Sequence, residues 1–270
     1  MRLPCSGEHL DFACNVCGQR NRLPLRGFHR ETALCGDCGA NARFRGIVHV
    51  LAQHLGIDPA LPLAQWPLRP DLRGLGMSDW QGYATLLAER MAYRNTFYDR
   101  DPRLDIAQPP ADELRDSHDF VITTDVFEHI LEPLQPAFAH LLALLRPGGA
   151  LVFSVPYTRQ AHTVEHFPGL HQFELVQALG QHLLVNRRRD GTLQVYDGLV
   201  FHGGEGATLE MRLFCEADLL QRLAAAGFED IVVHSEPVPE VGYYWPPLEQ
   251  ADPAAPLLYA YIISARRPPC

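Results

Sequence analysis

Residues 119–156 constrain the fold more than any other stretch of the chain. A short apolar run at 120–122 is followed by polar residues, as at the carboxyl end of a buried parallel strand. Apolar side chains then recur at helical spacing over 134–145, and Pro and Gly residues at 147–149 end the helix. A second apolar run fills 150–155. This strand–helix–strand unit predicts an α/β protein built on a parallel sheet.

Polar and ionisable residues follow the first strand of this unit. Thr124 and Asp125 come after the apolar run and Thr123, and Glu128 and His129 follow within one turn. Ligands of open α/β sheets bind beyond the carboxyl ends of the strands. We therefore expect a ligand beside these four residues.

A Gly-x-Gly sequence, Gly74 and Gly76, lies between a predicted strand end at 71–73 and a helix predicted over 80–91. Glycines at such a junction let the backbone approach a ligand closely near a helix N-terminus. Asp79 occupies the position of the third glycine of a dinucleotide-binding motif, which argues against a nicotinamide or flavin pyrophosphate site. The alternative is a tight loop without a ligand.

Acidic residues follow the next predicted strand, at 96–98. Asp99 and Asp101 end this strand, and an acid in that position can accept both hydroxyls of a ribose. Asp105 follows a very short third predicted strand. These acids are candidates for nucleoside binding, with ordinary surface acids as the alternative.

Two Cys-x-x-Cys-Gly motifs occupy residues 14–18 and 35–39. Each motif offers two thiolates, and the spacing between the motifs is typical of a four-cysteine zinc site. The predicted ligands are Cys14, Cys17, Cys35 and Cys38. Four protein ligands leave no open position on the ion, so the predicted role of the zinc is structural. The alternatives are two unrelated pairs of reduced thiols, or a redox pair.

The predicted organisation is a small N-terminal module followed by a larger domain. Residues 1–56 are expected to form the zinc module and a bridging amphipathic helix over 41–55, with Asn41 and Gly56 as its caps. Residues 57–270 are expected to form the α/β domain, with an irregular insertion at about 157–213 that contains a hairpin turn at Asp190 and Gly191. Insertions of this size are usually functional.

Composition excludes several classes of protein. All 23 basic residues are arginine, so there is no lysine for a Schiff base or a phosphate-binding P-loop. The net charge of −9 argues against a general nucleic-acid binder. No run of 18 apolar residues predicts a membrane span. The N-terminus lacks the apolar core of a signal peptide, so we expect a cytoplasmic protein.

Several segments together resemble class I S-adenosylmethionine-dependent methyltransferases. They are GLGMSD (74–79), FYD (97–99), LDI (104–106), DFVITTDVFEHI (119–130), LLRPGG (144–149) and ALVFSVP (150–156). The resemblance covers about residues 71–265, and the Asp-x5-Asp-x2-Glu-His pattern is its most specific part, being similar to the small-molecule branch. It implies a Rossmann-like sheet with helices on both faces. The segment GLGMSD lacks the acid and the last glycine of the family's pattern, and Asp79 stands in for part of it.

The resemblance also implies a role for individual residues around bound S-adenosylmethionine. The implied contacts are Gly74 and Gly76 with the methionine part, Asp99 with the ribose hydroxyls, Asp105 with the adenine amine, Asp125 and the backbone near Thr124 with the methionyl end, and His129 with the methyl group.

The predicted function is O-methylation of a small molecule or sugar, with a histidine as general base. An alcohol or phenol nucleophile must lose a proton, and histidine is the usual acceptor. The candidates are His129, His162, His166, His171 and His202. We rank His129 first for its place beside the cofactor, together with His166, which has Glu165 adjacent and lies in the insertion. Surface or packing histidines are the alternative for each.

Two other functions stay open at this point. One is a binding protein whose α/β domain has lost catalysis. The other is an RNA or protein methyltransferase in which the zinc module, through Arg43 or Arg45, holds the substrate. The expected partner is a small-molecule acceptor rather than a membrane or a nucleic acid.

Overall fold

The structure is a computed structural model that describes residues 5–6, 8–178, 180–202, 208–245 and 258–269. The strands are β1 (Cys5–Ser6), β2 (His9–Ala13), β3 (Arg20–Pro24), β4 (Arg69–Met77), β5 (Met91–Thr96), β6 (His118–Thr124), β7 (Leu145–Ser154), β8 (Tyr157–Thr158), β9 (Val164–Glu165), β10 (Gln172–Ala178), β11 (Gln181–Arg187), β12 (Leu193–Tyr196), β13 (Phe201–His202), β14 (Thr208–Leu209), β15 (Arg212–Cys215), β16 (Glu229–His234) and β17 (Ile262–Arg266). The α-helices are α1 (Ala42–Leu55), α2 (Gln81–Arg90), α3 (Gln135–Leu144) and α4 (Glu216–Ala225). No helix in these ranges is both long and apolar enough to cross a membrane.

A six-stranded sheet organises the larger part of the chain, in the order β16-β17-β7-β6-β4-β5. Strands β5, β4, β6 and β7 are parallel, while β17 pairs antiparallel with both β7 and β16. One face of the sheet shares a hydrophobic cluster with α1 and α2, and the other face shares a second cluster with α3 and α4. The prediction of a Rossmann-like sheet with helices on both faces is therefore confirmed.

The predicted strand–helix–strand unit forms as β6, α3 and β7. Every residue of β6 is buried, which explains its apolar run. Helix α3 buries Phe138 and Leu141 against the sheet, where Phe138 contacts the ring of Phe153. The second strand begins earlier than predicted, because residues 145–149 already belong to β7.

The strand predicted at 96–98 was misplaced. Helix α2 ends at Arg90, and the next residue already begins β5, which ends at Thr96. No Gly or Pro separates the helix from the strand, so the sequence offers no signal for the boundary. The predicted third strand is also wrong: within residues 97–106, which the structure describes throughout, the only strand pairing is an isolated bridge between Phe97 and Arg103.

The N-terminal segment forms an antiparallel sheet of β1, β2 and β3, followed by α1. The predicted caps of α1 are confirmed: Asn41 accepts from the backbone N–H of Phe44, and Gly56 adopts the left-handed conformation at φ 67°. Residues of α1, such as Ile47, belong to the same hydrophobic cluster as Ile262 of β17. The division of the chain after residue 56 stays a prediction.

The predicted insertion contains several short sheets. Strand β15 pairs with β8 and β9, and strands β10, β11 and β12 form a separate antiparallel sheet. The hairpin turn predicted at Asp190 and Gly191 connects β11 to β12, with Gly191 at φ 86°. A small hydrophobic cluster around Leu184 and Met211 joins this sheet to the segment before β15.

Candidate functional site

Strands β4 and β6 end beside each other at the edge where the sequence predicts a ligand. Met77 of β4 pairs with Thr123 of β6, so the residues that follow the two strands are neighbours. Ser78 and Asp125 follow there, and both have a left-handed backbone without being glycine, at φ 57° and 55°. Residues in this conformation cluster at functional sites, because the surrounding structure must hold them in it. This edge therefore has the backbone conformation of a binding site.

Asp79 is held inside the protein by strand β5. Its carboxylate accepts a hydrogen bond from the hydroxyl of Tyr93, and its backbone N–H donates to Asn95 Oδ1 at 3.0 Å. Burial raises the pKa of Asp79 to about 7, although the Tyr93 hydroxyl opposes that change. The sequence predicts a cofactor contact for Asp79, and the structure gives it a hydrogen-bonded position behind the strand tips.

Gly74 and Gly76 both have a packing role. A Cβ atom at Gly74 would overlap the ring of Phe120 on the adjacent strand β6. A Cβ atom at Gly76 would overlap the Tyr93 hydroxyl and the Asp79 carboxylate. The sequence attributes both glycines to close approach by a cofactor. The structure shows close approach by the protein's own side chains, and the predicted cofactor contacts stay predictions.

Two arginines from the N-terminal segment contact the tip of β6. Arg30 Nη2 lies 2.7 Å from Asp125 Oδ2, and Arg43 Nε lies 3.4 Å from the same oxygen. Arg43 also donates to Thr124 Oγ1 at 3.2 Å, and Glu31 accepts from both arginines at 2.8 Å. Sequence analysis did not assign Arg30 or Glu31 to the site, and no spacing in the sequence links them to Asp125.

The other two predicted cofactor contacts, Asp99 and Asp105, lie in the loop after β5. The Asp99 side chain is 72% exposed and lies 3.8 Å from the guanidinium of Arg100. Asp105 accepts the backbone N–H of Ala107 at 3.0 Å. Asp99 is therefore exposed and Asp105 is half-buried, and their contacts with ribose and adenine stay predictions.

Glu128 and His129 lie in a short 3-10 turn after β6. Glu128 is fully buried, and neither of its carboxyl oxygens meets a donor from another described residue. Burial and the nearby charge of Asp125 raise the pKa of Glu128 well above its usual range. His129 Nδ1 lies 2.7 Å from the carbonyl oxygen of Leu209, and its Nε2 lies 3.8 Å from Glu128 Oε1.

The insertion brings His166 to the same side of the site. The backbone N–H of Met211 donates to the carbonyl oxygen of Glu128, and the backbone N–H of His166 donates to that of Met211. Burial lowers the pKa of the His166 ring, while nearby Glu210 and Glu165 oppose this effect. His162 and His171 are exposed, and the side chain of His202 lies outside the described residues.

Arg212 connects the insertion to the turn that contains Glu128 and His129 through hydrogen bonds. Its side chain is 1% exposed, with Nε 2.7 Å from Glu165 Oε1. Its Nη1 donates to the carbonyl oxygens of Phe127 and Ile130 at 3.2 and 2.5 Å. A buried guanidinium needs this number of partners, because an unpaired charge in the interior is costly.

The four predicted metal ligands come together. The Sγ atoms of Cys14, Cys17, Cys35 and Cys38 all lie within 4.8 Å of one another. Cys14 Sγ is 3.7 Å from Cys38 Sγ, and Cys17 Sγ is 3.6 Å from Cys35 Sγ. A tetrahedral zinc ion with Zn–S bonds of about 2.3 Å places its sulfurs about 3.8 Å apart. The separations of these two sulfur pairs match that geometry.

The glycine after each cysteine pair makes the predicted turn. Gly18 and Gly39 have φ angles of 89° and 77°, and their backbone N–H groups donate to the carbonyl oxygens of Cys14 and Cys35. Residues with a side chain rarely adopt this conformation. The two turns therefore point both thiols of each pair in the same direction.

Arg45 connects the cysteine cluster to the C-terminal part of the chain. It is completely buried and donates to the carbonyl oxygens of Ala33, Ala40 and Gly242. Burial lowers the pKa of Arg45 to about 10, against the opposing effect of the four cysteines. Arg45 is thus an internal residue, and Arg43 is only 11% exposed.

Comparison with known proteins gives one family and several structures. Residues 81–233, more than half of the chain, match the model of a family described as a methyltransferase domain. No curated protein matches the sequence.

Three similar solved structures have low sequence identity. The 1,6-didemethyltoxoflavin-N1-methyltransferase of Burkholderia thailandensis is 17% identical, with 83% of this chain and 77% of that chain covered and a TM-score of 0.41. CalS10, an amino pentose methyltransferase of Micromonospora echinaspora, is 15% identical, with 85% of this chain and 92% of that chain covered and a TM-score of 0.43. The CMeT domain of the citrinin polyketide synthase is 14% identical, with 74% of this chain and 47% of that chain covered and a TM-score of 0.41.

Proposed function

The chain belongs to the methyltransferase domain family, and from this premise we propose that it methylates an oxygen atom of a small molecule or sugar, with S-adenosylmethionine as methyl donor. One observation carries the proposal: left-handed Ser78 and Asp125 lie at neighbouring strand tips, beside the buried carboxyl of Glu128. When bound, S-adenosylmethionine supplies a methyl group on a positively charged sulfur, ready for in-line displacement.

The proposed cofactor contacts follow the tips of three adjacent elements. Thr124 and Asp125 suit the charged methionyl end, because a carboxylate is a natural partner for a cationic group. Asp99 and Asp105 suit the nucleoside, since both lie in the loop after β5, where Asp99 is exposed and Asp105 is half-buried. Gly74, Gly76 and Asp79 stay proposed cofactor contacts, at the end of β4 beside these two groups of residues.

We infer that His129 is the general base. A carbonyl oxygen can only accept, so the contact with Leu209 requires the proton on Nδ1 and leaves the lone pair of the neutral ring on Nε2. The side chain is 16% exposed, which allows an acceptor hydroxyl to reach it. A positive charge formed on the ring would lie next to the Glu128 carboxyl.

His166 is the second candidate for the base. Burial keeps its ring neutral near pH 7, which a proton acceptor requires. Its backbone is hydrogen-bonded to Met211, which is in turn hydrogen-bonded to Glu128, so His166 belongs to the part of the insertion that contacts the turn after β6. A histidine base supports a hydroxyl acceptor, because a hydroxyl is a weak nucleophile until it loses its proton.

We also infer a structural zinc ion at the four cysteines. Their thiolates would complete its coordination and leave no position open for a substrate. The ion would hold residues 18–34, including Arg30 and Glu31, against the tip of β6. The proposed zinc module thus belongs to the site structurally, without taking part in the chemistry.

A binding protein without catalysis is the second candidate function. The Tyr93 hydroxyl and the Asp79 carboxylate already fill the space next to Gly76, which favours this alternative. A methyltransferase that holds RNA through Arg43 or Arg45 has less support, because both side chains are buried or paired.

Isothermal titration with S-adenosylhomocysteine separates the first two functions. We expect saturable binding with one site per chain, followed by methyl transfer from labelled S-adenosylmethionine to members of a panel of sugars and phenols. Absence of binding to the folded, metal-loaded protein would remove the methyltransferase proposal.

A further inference from the structure

The ion pair between Arg30 and Asp125 leaves one polar atom of each residue unused. Arg30 donates from Nη2 to Asp125 Oδ2 at 2.7 Å, and its Nε lies 2.8 Å from Glu31 Oε1. Arg30 Nη1 and Asp125 Oδ1 are both buried, and neither meets a hydrogen-bond partner among the residues that the structure describes. Buried polar atoms are rarely left unpaired in a native protein, so the two atoms together indicate a missing partner.

The complementary partner must carry two opposite charges close together. Arg30 Nη1 needs an acceptor and Asp125 Oδ1 needs a donor, and the strongest hydrogen bonds would place an anion on the guanidinium and a cation on the carboxylate. An α-amino-acid group offers a carboxylate and an ammonium on one carbon atom. A phosphate or a simple carboxylate would satisfy Arg30 only, and a simple amine would satisfy Asp125 only.

In the other two arginines near the site, every guanidinium nitrogen already has a hydrogen-bond partner. Arg43 uses Nε and Nη2 on Glu31 and Nη1 on Thr124. Arg212 uses Nε and Nη2 on Glu165 and Nη1 on two backbone carbonyl oxygens. Arg30 is therefore the arginine that can bind a further anion at the tip of β6.

We propose that Arg30 binds the carboxylate of the methionyl end of the cofactor, while Asp125 binds its ammonium group. The proposal rests on the proposed function and adds to it a residue from the segment between the cysteine pairs. Arg30 lies outside residues 81–233, the part of the chain that matches the family. Its carbonyl oxygen accepts from the backbone N–H of Arg43 at 3.4 Å, which joins its segment to α1.

The test combines two ligands with two variants of the metal-loaded full chain. The ligands are S-adenosylhomocysteine and its decarboxylated analogue, 5′-deoxy-5′-(3-aminopropylthio)adenosine, which keeps the amine. The variants are Arg30→Gln and the matched control Arg26→Gln, an exposed arginine in the same segment. Affinities are measured by isothermal titration, and zinc content checks that each variant is intact.

We expect Arg30→Gln to weaken the affinity for S-adenosylhomocysteine by roughly 10- to 150-fold, the usual range for a lost charged hydrogen bond. The affinity of the analogue should stay at the wild-type value, and Arg26→Gln should leave both affinities unchanged. Should Arg30→Gln fail to fold, Arg30→Lys replaces it, with a smaller loss expected for S-adenosylhomocysteine alone.

Two results would overturn the proposal: an equal loss for both ligands, which would mean that Arg30 only positions Asp125, or an unchanged affinity for S-adenosylhomocysteine. A wild-type protein that binds neither ligand would instead refute the proposed function itself. The two failures are therefore distinguishable.

Discussion

His129 Nδ1 lies 2.7 Å from the carbonyl oxygen of Leu209, a residue 80 positions later in the chain. This contact joins the turn after β6 to the insertion, and it determines which ring nitrogen carries the proton. The insertion therefore sets the protonation pattern of the proposed base.

Replacement of His129 by Gln should abolish most of the activity. Loss of a general base typically lowers kcat by about 10²- to 10⁴-fold, while the affinity for S-adenosylhomocysteine should not change. The exposed His162→Gln is the control. Full activity of His129→Gln would assign the base elsewhere.

Replacement of Glu128 by Gln should remove a pH dependence of stability. The folded-state pKa of Glu128 lies above its unfolded value, so the folded protein binds more protons between the two pKa values. The contribution of Glu128 to the free energy of unfolding is complete below the pKa of the unfolded state. It is lost as pH rises towards the pKa of the folded state, by up to about 1.4 kcal/mol per pH unit. Urea unfolding from pH 5 to 8 should show a flatter profile in Glu128→Gln and a wild-type profile in the exposed Glu113→Gln. Identical profiles for Glu128→Gln and the wild type would contradict this expectation.

Replacement of Arg212 by Gln should destabilise the protein by about 3 kcal/mol in urea unfolding, near the lower limit for a broken buried ion pair. The lower limit applies because Glu165 is 33% exposed and regains some hydration. The control is Arg159→Gln, which breaks the more exposed pair with Glu216 and should cost less than about 1 kcal/mol. Similar losses for the two variants would show that the burial of Arg212 adds no stability.

Replacement of Gly76 by Ala should cost about 1–3 kcal/mol through overpacking against Tyr93 and Asp79. The double variant Gly76→Ala/Tyr93→Phe removes the hydroxyl that the new methyl group meets, and should regain part of the loss in thermal unfolding. Gly198→Ala, where a Cβ atom meets nothing within 4 Å, is the neutral control. A double variant no more stable than Gly76→Ala would locate the overlap at Asp79 alone.

Replacement of Cys14 by Ser should release the metal. Structural zinc accounts for about 10–16 kcal/mol of apparent folding free energy in small zinc domains, so the N-terminal segment should unfold with it. Zinc content should fall from one ion per chain, and binding of S-adenosylhomocysteine should weaken because Arg30 is no longer held. Cys215→Ala, outside the cluster, should keep its zinc. A Cys14→Ser variant with full zinc content would refute the four-thiolate site.

The sequence predicts well those features whose signals are local. The unit of β6, α3 and β7 has a clear apolar periodicity with Pro and Gly residues after the helix, and each cysteine pair carries its own glycine. Strand β5 was misplaced because Met91 follows α2 without a turn residue, so no local signal marks the change from helix to strand.

Features that depend on distant contacts could not be predicted. Arg30 and Asp125 are 95 positions apart, and no periodicity relates them. Glu128 was expected near a ligand, but its complete burial follows from how the insertion packs against it. Asp79 looks like a substituted loop glycine in the sequence, whereas its partner Tyr93 lies on the neighbouring strand.

Arg45 links regions at opposite ends of the chain, since one guanidinium donates to Ala33 and Ala40 near the cysteines and to Gly242 near the C-terminus. A shortened protein that begins after α1 would lose this guanidinium and expose the apolar side chains that α1 covers on β7 and β17. Such a truncation should aggregate, so the α/β part of the chain is best produced together with the cysteine-rich N-terminal segment.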